Sequence, residues 1–79
     1  MTTEEKQLLL IDLCARLSYG VKVKVFDESI LMESINNEKG TIIPKGSYYF
    51  KGTHTGGNGE NRLSGYASKQ IKIVEEIVI

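Results

Sequence analysis

The early part of the chain repeats its apolar residues with the period of a helix. Leu9, Leu10, Leu13, Cys14 and Leu17 fall at i, i+3 or i+4 spacing, and Leu8 and Ile11 widen the stripe. Thr2 with Glu5 three residues later forms a capping box. Glu4 and Glu5 at the start and Arg16 near the end suit the helix macrodipole, and Gly20 supplies a stop. The spacing predicts a helix over residues 3–17.

The period then changes to two. Val21, Val23 and Val25 alternate with Lys22 and Lys24, which reads as a strand with one wet face. Asp27-Glu28-Ser29 reads as a turn and Ile30 to Ile35 as a second short strand. Asn36 to Gly40 reads as a hairpin turn, because asparagine and glycine accept positive φ. Thr41 to Ile43 follows as a strand that Pro44 ends, Lys45-Gly46 turns the chain, and Ser47 to Lys51 is a strand rich in aromatics. A Gly-rich loop is expected over 52–65, then a strand from Tyr66 to Val74 and a last apolar strand, Ile77 to Ile79.

One helix and about five short antiparallel strands make an α+β domain, with the helix on one face or one end of the sheet. The expected architecture is a small SH3-like or OB-like barrel over residues 20–79, preceded by the helix, in a single domain of 79 residues. So short a chain buries a modest core, and a ligand or a second copy would stabilise it. A homo-oligomer is expected.

Composition narrows the function. The single cysteine, Cys14, lies on the apolar helix stripe and reads as a small buried hydrophobe. One cysteine and one histidine cannot build a structural zinc site, so no metal and no cofactor are expected. A reduced cytoplasmic setting fits best. The opening residues carry acids where a secretory signal has bases, and the longest apolar run, Leu8 to Ile11, is far too short to span a membrane. Net charge is zero, which argues against a general polyanion binder and makes nucleic acid a weak candidate partner.

The charge is unevenly spread. Residues 1–38 carry a net of −3, residues 39–74 a net of +5, and Glu75 and Glu76 restore the balance. The Gly-rich stretch lies in the basic part. Its glycines fail the Walker A pattern, because Asn58 and Gly59 stand where lysine and serine or threonine are needed. They also fail the dinucleotide-binding pattern, where Arg62 replaces the third glycine. A looser reading remains. Backbone N–H groups of such a turn can form an anion nest, with Lys51 and Arg62 on either side and Thr53, Thr55, Asn58 and Asn61 as hydrogen-bond donors. Tyr48 and Phe50 share one strand face and read as core, whereas Tyr49 lies on the other face with Lys51. The candidate ligand-binding residues are therefore Tyr49, Lys51, Thr53, His54, Arg62 and Tyr66. Basic groups interleaved with aromatics suit nucleotides, whose bases stack and whose phosphates pair. A slack hairpin tip and a protein contact are the competing readings of the same stretch. No catalytic constellation is present, since His54 has no partner to orient it, and the chain is not expected to be an enzyme.

The stretch from Asp12 to Val25, DLCARLSYGVKVKV, resembles the opening of small uncharacterised proteins of phages and mobile elements of Bacteroides-type gut bacteria. The resemblance covers residues 5–25, and Ser18 stands where that pattern has proline. It implies a phage or mobile-element origin and carries no known activity. The resulting expectation is a non-catalytic phage-type protein that sequesters an anionic, nucleotide-like ligand as an anti-defence factor. The alternatives are an interaction module, such as an inhibitor of a host protein or an assembly factor, acting through an edge strand, and a weak nucleic-acid binder.

Overall fold

A computed structural model of the chain describes residues 1–17, 20–56 and 59–79. The readings placed on Ser18 and Asn58 lie outside the described residues. Helix α1 spans Thr3–Leu17, and six strands follow: β1 Val23–Ile30, β2 Ile35–Asn36, β3 Ile42–Ile43, β4 Tyr48–Thr55, β5 Glu60–Ala67 and β6 Ile73–Val78. The α+β class holds. The expected barrel does not. Four strands form an open antiparallel sheet in the order β1-β4-β5-β6, and β2 pairs with β3 as a separate ribbon. Closure would need β1 to meet β6, and these are instead the two edges.

Helix α1 begins where the capping residue predicts: the Glu5 amide donates to Thr2 Oγ1 at 3.1 Å. Its apolar stripe docks on one sheet face. Leu9 and Leu13 are fully buried against Tyr48, Phe50, Leu63, Ala67 and Ile73, with Leu17, Val23, Val25 and Ile71 around them. Cys14 is half-buried rather than buried.

The largest departure from the sequence reading is the Gly-rich stretch. Residues 52–65 are mostly paired strand, not loop. Strands β4 and β5 keep an unbroken register from Tyr48 opposite Ala67 to Thr55 opposite Glu60. Two of its glycines are there for close packing. A Cβ on Gly52 would lie 2.2 Å from the Lys24 carbonyl oxygen on β1. One on Gly65 would lie 2.6 Å from the Glu75 carbonyl oxygen and 2.8 Å from the Phe50 ring. Both distances are too short for any side chain, so the sheet requires glycine at these points.

Other boundaries shift for related reasons. Asp27-Glu28-Ser29 is not a turn but the second half of β1, which accommodates Phe26 as a bulge between Val25 and Asp27. Only Ile35 of the expected Ile30–Ile35 strand is paired as β2. The expected Tyr66–Val74 strand breaks at a turn in which the Ser68 amide donates to the Lys72 carbonyl at 2.9 Å. Ile77 and Val78 belong to β6 rather than to a strand of their own.

Glu28 ties the helix to the sheet. Its carboxylate lies 2.5 Å from Lys6 Nζ and accepts the Tyr48 hydroxyl proton. These hydrogen bonds, Lys6 first and then Tyr48, hold the Glu28 carboxyl below its ordinary 4.5. Burial, and then the same bond to Glu28, pushes the Tyr48 phenol well above its usual value.

Two outcomes follow from this packing. Gly52→Ala and Gly65→Ala should each lower stability by about 1–3 kcal/mol, the range for forced overpacking, measured by urea denaturation. Wild-type midpoints in both variants would mean that this stretch is slack after all. Glu28 should also set part of the acid limb of stability. Its folded pKa is depressed, so its contribution is complete above the unfolded value near 4.5 and is lost as pH falls through the folded value. The melting temperature of Glu28→Gln should therefore fall less steeply than wild type below pH 4.5. Parallel curves in a pH series of thermal melts would remove Glu28 from the account.

Candidate functional site

Strand alternation sorts the candidate residues. On β4 the even positions, Tyr48, Phe50, Gly52 and His54, face the helix, and the odd positions face away. Tyr49, Lys51 and Thr53 therefore share the open face with their β5 partners Tyr66, Ser64 and Arg62. The β1 register adds Lys24 opposite Thr53, and the β6 register adds Glu75 opposite Tyr66. The result is three rows across the sheet. Ser29, Tyr49, Tyr66 and Glu75 form one, Asp27, Lys51, Ser64 and Ile77 the next, and Lys24, Thr53 and Arg62 the third. Successive rows are about 7 Å apart at the rise of a strand.

The tyrosines meet. Their ring centroids are 5.0 Å apart, with the ring planes tilted by 43°. The Lys51 ammonium stands 5.9 Å from the centroid of the Tyr49 ring, within cation–π range. Partial burial, with Tyr49 and Glu75 beside it, raises the Tyr66 phenol above its usual value, so it stays a hydrogen-bond donor at neutral pH. Lys24, Lys51 and Arg62 are exposed, and none forms a salt bridge among the described residues. Thr53 Oγ1 donates to Glu60 at 2.8 Å, which places one carboxylate at the rim of the basic row.

A ribbon walls off one corner. Asn37 builds the turn between β2 and β3: its Oδ1 accepts from the amides of Lys39 at 3.0 Å and Thr41 at 2.7 Å. The same side chain donates to the Glu75 carboxylate, pinning the ribbon to β6. Between ribbon and sheet lies a groove of about 570 Å³ lined by Ile35, Asn37, Tyr66, Glu75 and Ile77 among others. Tyr66 therefore belongs both to the open face and to this groove. A second cavity of about 380 Å³, beside Thr2, Ile30 and Tyr48, contains none of the candidate residues.

His54 is the candidate that the structure separates from the rest. It faces the helix side, opposite Val23 on β1 and Asn61 on β5. Both of its ring nitrogens are buried without a hydrogen-bond partner among the described residues. Sequence reading missed Lys24 and Ser64, although the Lys22-Val23-Lys24 alternation already marked Lys24 as an outward residue. Only the β1–β4 register shows that it lies beside Thr53. The anion nest expected in the Gly-rich turn is also reduced, since most of the backbone of that stretch is committed to the β4–β5 ladder.

Among the described residues no group of three His, Cys, Asp or Glu side chains comes together in a way that could hold a metal ion. No helix among them is long and apolar enough to cross a membrane. No protein-family model matches the chain, and neither a curated protein nor a solved structure matches it.

An unpaired buried polar group costs about 1–3 kcal/mol. His54→Leu should therefore raise stability by about 1 kcal/mol or more, read from the denaturation midpoint. A marked loss would show that the imidazole has a partner and a structural role.

Proposed function

We propose that the open sheet face binds a nucleotide-like anion without catalysing a reaction. The observation that carries this reading is the Tyr49–Tyr66 pair beside Lys51, with Arg62 and Lys24 in the row beyond Lys51. The tyrosine rings offer a surface on which a base can stack, and base–aromatic stacking is worth about 1–3 kcal/mol per base. Lys51 stands where a phosphate attached to that base would fall. Arg62 can grip a second phosphate through two parallel hydrogen bonds. The Tyr66 hydroxyl, held protonated, donates to an acceptor on the ligand. His54 takes no part, because it points to the opposite side of the sheet.

The zero net charge of the chain fits a local site better than a polyanion track. Asp27, Glu60 and Glu75 interrupt the basic rows, so a long phosphate backbone would meet carboxylates on three sides. A mono-, di- or cyclic nucleotide needs only the tyrosine row, Lys51 and, for a second phosphate, Arg62. On a phage-encoded chain, such capture would withdraw a nucleotide signal of host defence.

The test is native mass spectrometry of the protein as purified, followed by thermal melts with a panel of mono-, di- and cyclic nucleotides. At 100 times its dissociation constant a ligand stabilises by about 2.7 kcal/mol. Tyr66→Ala and Lys51→Ala should each weaken the effect at least tenfold, and added salt should weaken it further. His54→Leu should leave it unchanged. No retained mass and no shift with any nucleotide would overturn the proposal.

A further inference from the structure

We propose that copies of this chain join edge to edge, with β6 of one copy adding to β1 of the next. The inference rests on the two edge strands of the open sheet and shares Lys24 and Glu75 with the border of the ligand face, Glu75 also holding the Asn37 side chain of the ribbon.

Every neighbouring pair in the order β1-β4-β5-β6 is antiparallel, so the two edge strands run in opposite directions. A second copy set beside the first in the same orientation therefore brings its β1 antiparallel onto β6. The sheet then continues, with the helices of both copies on one side. Among the described residues no backbone hydrogen bond joins β6 to the β2–β3 ribbon. β6 also lacks the lysines and prolines that commonly guard an edge.

Charge and shape choose the partner strand. β6 carries Glu75 and Glu76 next to Ile77 and Val78, which are 39% and 56% exposed. The chain entering β1 carries Val21, Lys22, Val23 and Lys24. With Glu75 opposite Lys24, antiparallel pairing sets Glu76 opposite Val23, Ile77 opposite Lys22 and Val78 opposite Val21. Glu75 then has one lysine directly across and the other on the diagonal, both within cross-strand reach. The bulge of β1 begins at Val25, and the irregularity in the pairing of β6 lies before Glu75. Neither falls inside this ladder. The self-paired alternatives fit worse. β6 on β6 gathers four carboxylates into one ladder. The bulge-free part of β1 on itself sets Lys22 against Lys24.

A head-to-tail contact of this kind does not close on two copies, so it builds rings or filaments. Sedimentation velocity from micromolar to millimolar protein tests it. The wild-type chain should grow with concentration beyond a dimer. Lys22→Glu places a carboxylate against Ile77 and Glu75, and Ile77→Lys places an ammonium against Lys22. Each should move assembly to roughly fivefold higher concentration, the scale of one cross-strand charge pair. Both positions are exposed, and matching thermal melts confirm that the variants fold. An equal mixture of the two variants should recover assembly, because Glu at 22 then meets Lys at 77. A wild-type monomer at every concentration would overturn the proposal. So would a closed dimer indifferent to Lys22→Glu, or a mixture that assembles no better than either variant.

Discussion

Leu9 and Leu13 can be buried on only one side of the four-stranded sheet, and the rest of the molecule depends on which side that is. Docking α1 on the even positions of β4 gives Tyr48 and Phe50 to the core and puts Tyr49, Lys51 and Thr53 on the opposite face, Lys51 exposed and the other two half-buried. The same choice puts His54 on the helix side, with its ring nitrogens buried, and exposes Arg62. Side chains alternate with period two along a strand, so a one-residue slip would exchange the two sets entirely. The β4–β5 register therefore decides which side chains share the open face. It is held by Phe50 lying against Gly65, where any larger residue would force the strands apart.

Much of this was legible in the sequence because it is periodic. The helix limits, the Asn36–Gly40 turn and the division of Tyr48 and Phe50 from Tyr49 all follow from spacing within a few residues. What was not legible depends on neighbours distant in the chain. Gly52 and Gly65 look like loop residues locally, yet each is small because a backbone from another strand passes within a Cβ radius. Asp27 and Glu28 look like turn acids, yet Glu28 is drawn into β1 by Lys6 and Tyr48, 22 and 20 residues away. Barrel or open sheet is decided by whether β1 meets β6, and no local pattern encodes that meeting. The candidate site shows the same division. Five of its six residues share a face because their strands pair in register. His54 was misplaced because the stretch was taken for a loop, where strand parity has no meaning.

The two free surfaces of the molecule have different chemistry. The open face combines two tyrosines with lysine and arginine side chains that form no salt bridge among the described residues, and it suits a small anion carrying an aromatic ring. The edges combine valine and lysine on one side with glutamate and isoleucine on the other, which suits another copy of the same sheet. Sideways growth of the sheet would leave the paired tyrosine rings uncovered and engage only Glu75 and Lys24 at the borders of that face. Asn37 lies between the two regions, since it pins the ribbon to Glu75 at the border of the open face and the β6 edge.

The central claim is that ligand binds the face turned away from α1. The most direct test is a titration of isotopically labelled protein with a nucleotide, followed by amide and side-chain NMR shifts. The account predicts shifts that saturate together at Tyr49, Lys51, Arg62 and Tyr66, with Leu9, Leu13 and His54 unmoved. Shifts centred on the helix side, or none at millimolar nucleotide, would contradict it.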